Sequence, residues 1–171
     1  MRNTRRPWST AWVVGAILLL SAWWSQLAHA AEPRLILRWT DRAGQSVEHL
    51  VLERSRLDAM PHRQIVTGTP WMPGRQRFRG PDLFDIARLA AGTVIEARVT
   101  AHNAYTAVIP RSDLDRYAPI IALYQDDEPM RLRNKGPFWI IYPIDRHPEL
   151  RGGLYMQRMV WQVREIEFLV D

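Results

Sequence analysis

Leu35, Leu37 and Trp39 alternate with Arg34, Ile36 and Arg38, the period-two pattern of a strand with one buried face. Asp41-Arg42-Ala43-Gly44 supplies a turn, and residues 47–52 supply a returning apolar run, so the pattern predicts an opening hairpin. Ser55 is the expected cap of a short helix running through Met60. Residues 64–67 read as a brief strand entering an irregular loop, residues 67–80, rich in Gly, Pro and Arg. The clearest helix is residues 81–91. Pro81 opens it, Asp82 and Asp85 face the positive end of its dipole, Leu83, Ile86, Ala87 and Ala90 follow helical spacing, and Gly92 stops it.

Beyond that helix, residues 94–100, 105–109, 120–124, 138–142 and 166–170 are β-branched or aromatic runs bounded by turn residues. Ser112-Asp113-Leu114 suggests one helical turn among them. Residues 136–143 are apolar on both faces and read as the central strand. Strands outnumber helices and do not alternate with them, so the expected class is α+β: mainly β, with a mixed or antiparallel sheet and few short helices.

The first thirty residues follow a different grammar. Arg2, Arg5 and Arg6 precede an apolar stretch from Trp12 to Trp24, and Ala28-His29-Ala30 forms a small-residue cleavage site, the three parts of an export signal. The expected organisation is a cleaved signal over residues 1–30 and a single domain over residues 31–171, working in the periplasm. An uncleaved anchor is the competing reading, because no charge falls between Arg6 and Glu32. Arg5-Arg6 raises twin-arginine export, but Pro7 and the Leu-rich core fit ordinary secretion better.

Charge and composition narrow the functions. The formal net charge is +5, yet removing Arg2, Arg5 and Arg6 from the 23 basic residues leaves 20 against 18 acids, a net of +2. No nucleic-acid surface is expected from that balance, and no membrane contact beyond the export signal. Cysteine is absent, which excludes disulfides, thiolate-ligated metals and thiol nucleophiles. His49, His62, His102 and His147 form no pair at helical metal-site spacing, and Ser46, Ser55 and Ser112 lie in no nucleophile-elbow context.

Three segments carry candidate chemistry. Thr67, Thr69 and Trp71 lead into Arg75, Arg77 and Arg79 just before the expected helix, where backbone N–H groups favour an anion; solvated arginines on a surface loop are the plainer reading. His102, Asn103 and Tyr105 stand where a loop enters a strand and could orient a polar ligand, or could form only a turn stabilised by Asn103. Arg131, Arg133 and Lys135 place cations before the buried strand, opposite the acidic Asp126-Asp127-Glu128 turn with which they could simply pair.

The order of these pieces resembles the sulfite-oxidase-type molybdopterin-binding domain, above all the small exported bacterial proteins that carry this domain alone. The resemblance rests on Trp71, Gly74 and Gly80 before Leu83-Phe84-Asp85-Ile86, then His102-Asn103-Ala104-Tyr105, Ile109-Pro110, Asp126-Asp127-Glu128-Pro129-Met130, Gly136-Pro137-Phe138-Trp139 and Val160-Trp161-Gln162-Val163. It implies a mainly β α+β fold holding a molybdenum–pterin group, with a cysteine ligating the metal. Matched through Trp71, that cysteine's position falls on Thr67 or Thr69, neither of which can supply a thiolate. By position, the cofactor contacts implied are Thr67, Thr69, Trp71, Arg75, Arg77, His102, Asn103, Tyr105, Arg133 and Lys135, with no protein metal ligand.

Three readings follow. The favoured one is a periplasmic module without cysteine-ligated molybdenum that binds a small anion or a pterin-like ligand, or docks to a periplasmic redox or sensor protein. The second is a molybdopterin-dependent oxidoreductase with an atypical metal site. The third is a ligand-free structural or assembly protein.

Overall fold

In the computed structural model, the described residues are 32–171. The expected export signal lies outside them. The opening hairpin forms as the alternation predicts: β1 (Arg34–Thr40) pairs antiparallel with β2 (Ser46–Glu53). A single-turn helix, α1 (Arg54–Asp58), follows. Its N-cap is Glu53, with no side-chain capping bond, so Ser55 lies inside the helix and not at its start.

β1 joins a five-stranded sheet of order β2-β1-β11-β5-β6, completed by β5 (Val94–Ala101), β6 (Thr106–Pro110) and β11 (Val163–Val170). β11 runs parallel to β1 and antiparallel to β5. Its inner face carries Ile166, Phe168 and Val170 into a core with Leu35, Leu37, Trp39, Ala97 and Val99, all buried. The other face is polar, with Arg38 paired to Glu165 and Arg98 to Glu167. This is the one-sided burial that alternation encodes.

The second layer departs from the sequence reading. β3 (His62–Thr69) and β4 (Met72–Pro81) form a hairpin where an irregular loop was expected. In β4, exposed Arg75 and Arg77 alternate with buried Gln76 and Phe78, a strand period that the Gly, Pro and Arg content obscures. A register shift between Gly68 and Thr69 absorbs Pro73 and Gly74, and Gly74 takes the positive φ of 71° that the bulge requires. The strand ends at Pro81. Asp82 then caps α2 (Leu83–Ala87), its Oδ1 accepting from the Phe84 N–H at 2.9 Å. The helix is one turn long, not the eleven residues the pattern suggested, and its cap occupies the N–H that an anion would have used.

After α3 (Arg111–Tyr117), β7 (Ile120–Ala122) pairs with β10 (Trp139–Ile141), while β8 (Tyr124–Gln125) and β9 (Glu128–Pro129) extend the β3-β4 sheet. β10 is buried on both faces as its composition predicts, but it belongs to a two-stranded ladder; the central strand of the large sheet is β11. Gly80 lies so close to β7 that a side-chain carbon there would run into the Ile121 carbonyl. A last helix, α4 (Gly153–Arg158), precedes β11. No helix among the described residues is long and apolar enough to cross a membrane. The architecture is α+β and mainly β, with few short helices, as expected.

Candidate ligand-binding site

The β3-β4 turn delivers Trp71 to a cluster of indoles. Trp71 meets Trp161 edge-on at 5.2 Å between ring centres and lies 5.9 Å from Trp139. Trp139 is fixed from behind, since its Nε1 donates to the Met159 carbonyl at 2.9 Å and Phe78 packs edge-on at 5.4 Å. Such offset and edge-on arrangements are those that aromatic quadrupoles favour. The ammonium of Lys135 caps the cluster, 4.0 Å from the centre of the Trp161 ring. The backbone holds this lysine in place: its carbonyl accepts from the Gln162 N–H at 3.0 Å, and its φ is 64°.

Beside the cluster opens a pocket of about 290 Å³. Trp71, Trp161, Tyr105 and Met156 wall it, and Ala101, Met159 and Val160 complete its apolar lining; Asn103 and Gln157 are its polar residues. Asn103 Oδ1 accepts from the Tyr105 N–H at 3.1 Å, which orders the turn between β5 and β6. The Tyr105 hydroxyl donates to the Gln157 carbonyl at 3.0 Å and ties that turn to α4.

A second pocket, of about 360 Å³, lies on the hairpin side of Met156, which lines both. Thr69, Asp145 and Arg151 are its polar side chains. Asp145 accepts from the Gly68 N–H at 3.1 Å and from Arg75 Nε at 2.8 Å, so its charge is compensated. The two threonines differ sharply. Thr67 is fully buried, its hydroxyl donating to the Gly68 carbonyl and accepting from the Asp145 N–H. Thr69 is 8% exposed, and its Oγ1 has no partner.

α4 is held by a buried polar group. Asp113 Oδ2 accepts from the Tyr142 hydroxyl at 2.9 Å and from Arg158 Nη1 at 2.8 Å, and Arg158 Nε reaches the Val108 carbonyl at 3.0 Å. Burial, reinforced by the neighbouring Asp113 charge, pushes the Tyr142 phenol well above its ordinary range. The Tyr117 phenol is pushed up to about 12, first by its hydrogen bond with Tyr155 and then by burial. These contacts set the position of Met156 and Gln157, and with them one wall of the pocket.

The residues singled out in the sequence therefore divide. Trp71, Asn103 and Tyr105 come together in the first pocket, with Lys135 capping its indoles. Thr69 lines the second, Thr67 lies alongside it, and Arg75 reaches it only through Asp145. Arg77 turns away to pair with Asp127 at 3.0 Å, and Arg79 stacks on Tyr124 while bonding His62. His102 and Arg133 are exposed and line neither pocket. Sequence reasoning missed Trp161, Met156, Met159 and Arg151 as site residues. The run Tyr155-Met156-Gln157-Arg158-Met159-Val160-Trp161, dense in soft and aromatic side chains, was the available signal.

No family model matches the chain, and no curated protein matches it. Among solved structures, the chain is similar to the sulfane dehydrogenase SoxCD from Paracoccus pantotrophus, with a TM-score of 0.59 and 14% identity over 80% of this chain. It spans 38% of that chain's length. The likeness is one of fold, and it agrees with the sulfite-oxidase-like architecture that the motif order implies.

The molybdenum–pterin group implied by that architecture is not matched by the donors here. Neither threonine offers a thiolate, and the Thr67 hydroxyl is already engaged. Of the cations implied as cofactor contacts, Arg75 and Arg77 are paired with Asp145 and Asp127. Among the described residues, no group of three His, Asp or Glu side chains could hold a metal ion.

Proposed function

We propose that the protein is an exported, periplasmic binding module on the sulfite-oxidase-type scaffold, taking a small ligand with a flat apolar body against the Trp71–Trp161 wall of the pocket. It works without thiolate-ligated molybdenum. The observation that supports this reading is the pocket itself: rigid indoles on one side, adaptable methionines on the other, and an Asn103–Gln157 edge to orient a polar substituent. Its volume, about 290 Å³, suits a one- or two-ring ligand.

The test is titration with 3-phenylpropionamide, a neutral flat probe, followed through the indole N–H resonances. The expected result is movement of the Trp71 and Trp161 signals with Trp39 unchanged, and a loss of affinity of about tenfold in Trp71→Ala. Absence of any indole shift would sink the reading. Location is checked separately by sequencing the N-terminus of the periplasmic form, which is expected to begin at Ala31; recovery of the full-length chain in the membrane fraction would instead support an uncleaved anchor.

A further inference from the structure

The two pockets share Met156 in their linings, and the second contains groups that the first does not explain. Thr69 presents a hydroxyl that is more than nine-tenths buried and has no hydrogen-bond partner. A buried hydroxyl left unpaired is costly, and native proteins rarely keep one without a reason. Arg151, at the end of the 3₁₀ turn Pro148–Arg151, also lines this pocket. Arg151 is exposed, and among the described residues its guanidinium has neither an ion pair nor a hydrogen bond, as is also true of Arg56, Arg131, Arg133 and Arg146; of these, Arg151 is the one in the lining of this pocket. The acid in the lining, Asp145, is paired with Arg75 and accepts from the Gly68 N–H, which offsets its charge. What remains is an unspent positive charge, an unspent hydroxyl and a cavity of about 360 Å³.

We infer that the ligand of the Trp71–Trp161 pocket is an amphipathic carboxylate whose head passes Met156 and is received by Arg151 and the Thr69 hydroxyl. The inference rests on the binding reading above and adds the charge of the ligand and the residues that select it. Each part of the ligand meets its own chemistry: the flat apolar body lies against indole and thioether, the carboxylate accepts from guanidinium N–H groups and from the Thr69 O–H. Met156, unbranched and with rotatable bonds to spare, is the side chain that both linings share and can adjust to such a ligand.

The experiment compares 3-phenylpropionate with its neutral amide by calorimetry on wild type, Arg151→Gln and Thr69→Val. The carboxylate is expected to bind about tenfold tighter than the amide to wild type, the scale of a charge-assisted hydrogen bond. Arg151→Gln should abolish that preference and leave amide affinity unchanged. Thr69→Val replaces the hydroxyl with a methyl of the same shape, so carboxylate affinity should fall several-fold while Tm rises; that opposite movement separates a ligand-binding hydroxyl from a damaged fold. Equal binding of acid and amide to wild type, or a preference that survives Arg151→Gln, would overturn the inference and leave the apolar pocket standing. Failure of both probes to bind would remove the pocket reading along with it.

Discussion

Lys135 places its ammonium 4.0 Å from the centre of the Trp161 ring, with Trp71 and Trp139 at 5.8 and 5.7 Å. The chain's one lysine thus serves as a lid on its indole cluster. A cation over an aromatic face contributes about 1 kcal/mol when partly desolvated. Lys135 also holds a left-handed backbone conformation that opposes it by a similar amount.

These two terms separate by substitution. Lys135→Gln removes the cation and keeps the backbone strain, so it should destabilise by about 1 kcal/mol and shift the Trp161 indole resonance. Lys135→Gly removes both and should cost less, because glycine adopts positive φ freely. A larger loss for Gly than for Gln, measured by urea denaturation, would refute this balance.

Asp113 is the hinge of the polar group beneath α4. Asp113→Ala strands the Arg158 guanidinium and the Tyr142 hydroxyl in a buried setting and should cost about 3–5 kcal/mol. Replacing Asp113 and Arg158 together with apolar residues should recover much of that loss, because the uncompensated charge disappears. A double variant no more stable than Asp113→Ala alone would mean that the charge is not the cause.

Alkaline pH should loosen the same region. The Tyr117 and Tyr142 phenols are both raised in the folded protein, so the fold holds their protons more tightly than the unfolded chain does. For Tyr117 the resulting stabilisation is complete below the ordinary value of 10.0 and is lost as pH climbs toward about 12. Tm should fall across that interval, and Tyr117→Phe should flatten the fall. A slope unchanged in Tyr117→Phe would place the titration elsewhere.

Metal content bears on the absent thiolate. Protein purified from a host that makes the molybdenum–pterin cofactor is expected to carry no stoichiometric molybdenum, as measured by elemental analysis. Stoichiometric metal would direct attention to the unpaired Thr69 hydroxyl as an oxygen ligand and would displace the binding-module reading.

The outer architecture was legible because alternation is a local signal. Leu35, Leu37 and Trp39 announce their strand without reference to anything distant, and Ile166, Phe168 and Val170 do the same. The β3-β4 hairpin was obscured because Pro73 and Gly74 read as loop punctuation, whereas pairing with β3 turns them into a bulge. α2 was overread for the converse reason: good helical spacing continues to Ala90, but the helix ends after Ala87. The site was half legible. Trp71, Asn103 and Tyr105 stood out by type, but Trp161 and Met156 join them only through tertiary folding, and sequence adjacency says nothing of which arginines will be spent on Asp145 or Asp127.

The position of β11 imposes an order on assembly. The last strand of the chain fills the slot between β1 and β5, two strands made long before it. Until Val170 has been synthesised, Leu35, Leu37 and Trp39 have no neighbour on that edge, and the large sheet remains split into an N-terminal hairpin and a β5-β6 hairpin. Closure of the large sheet therefore waits for one late, long-range pairing, which favours slow folding.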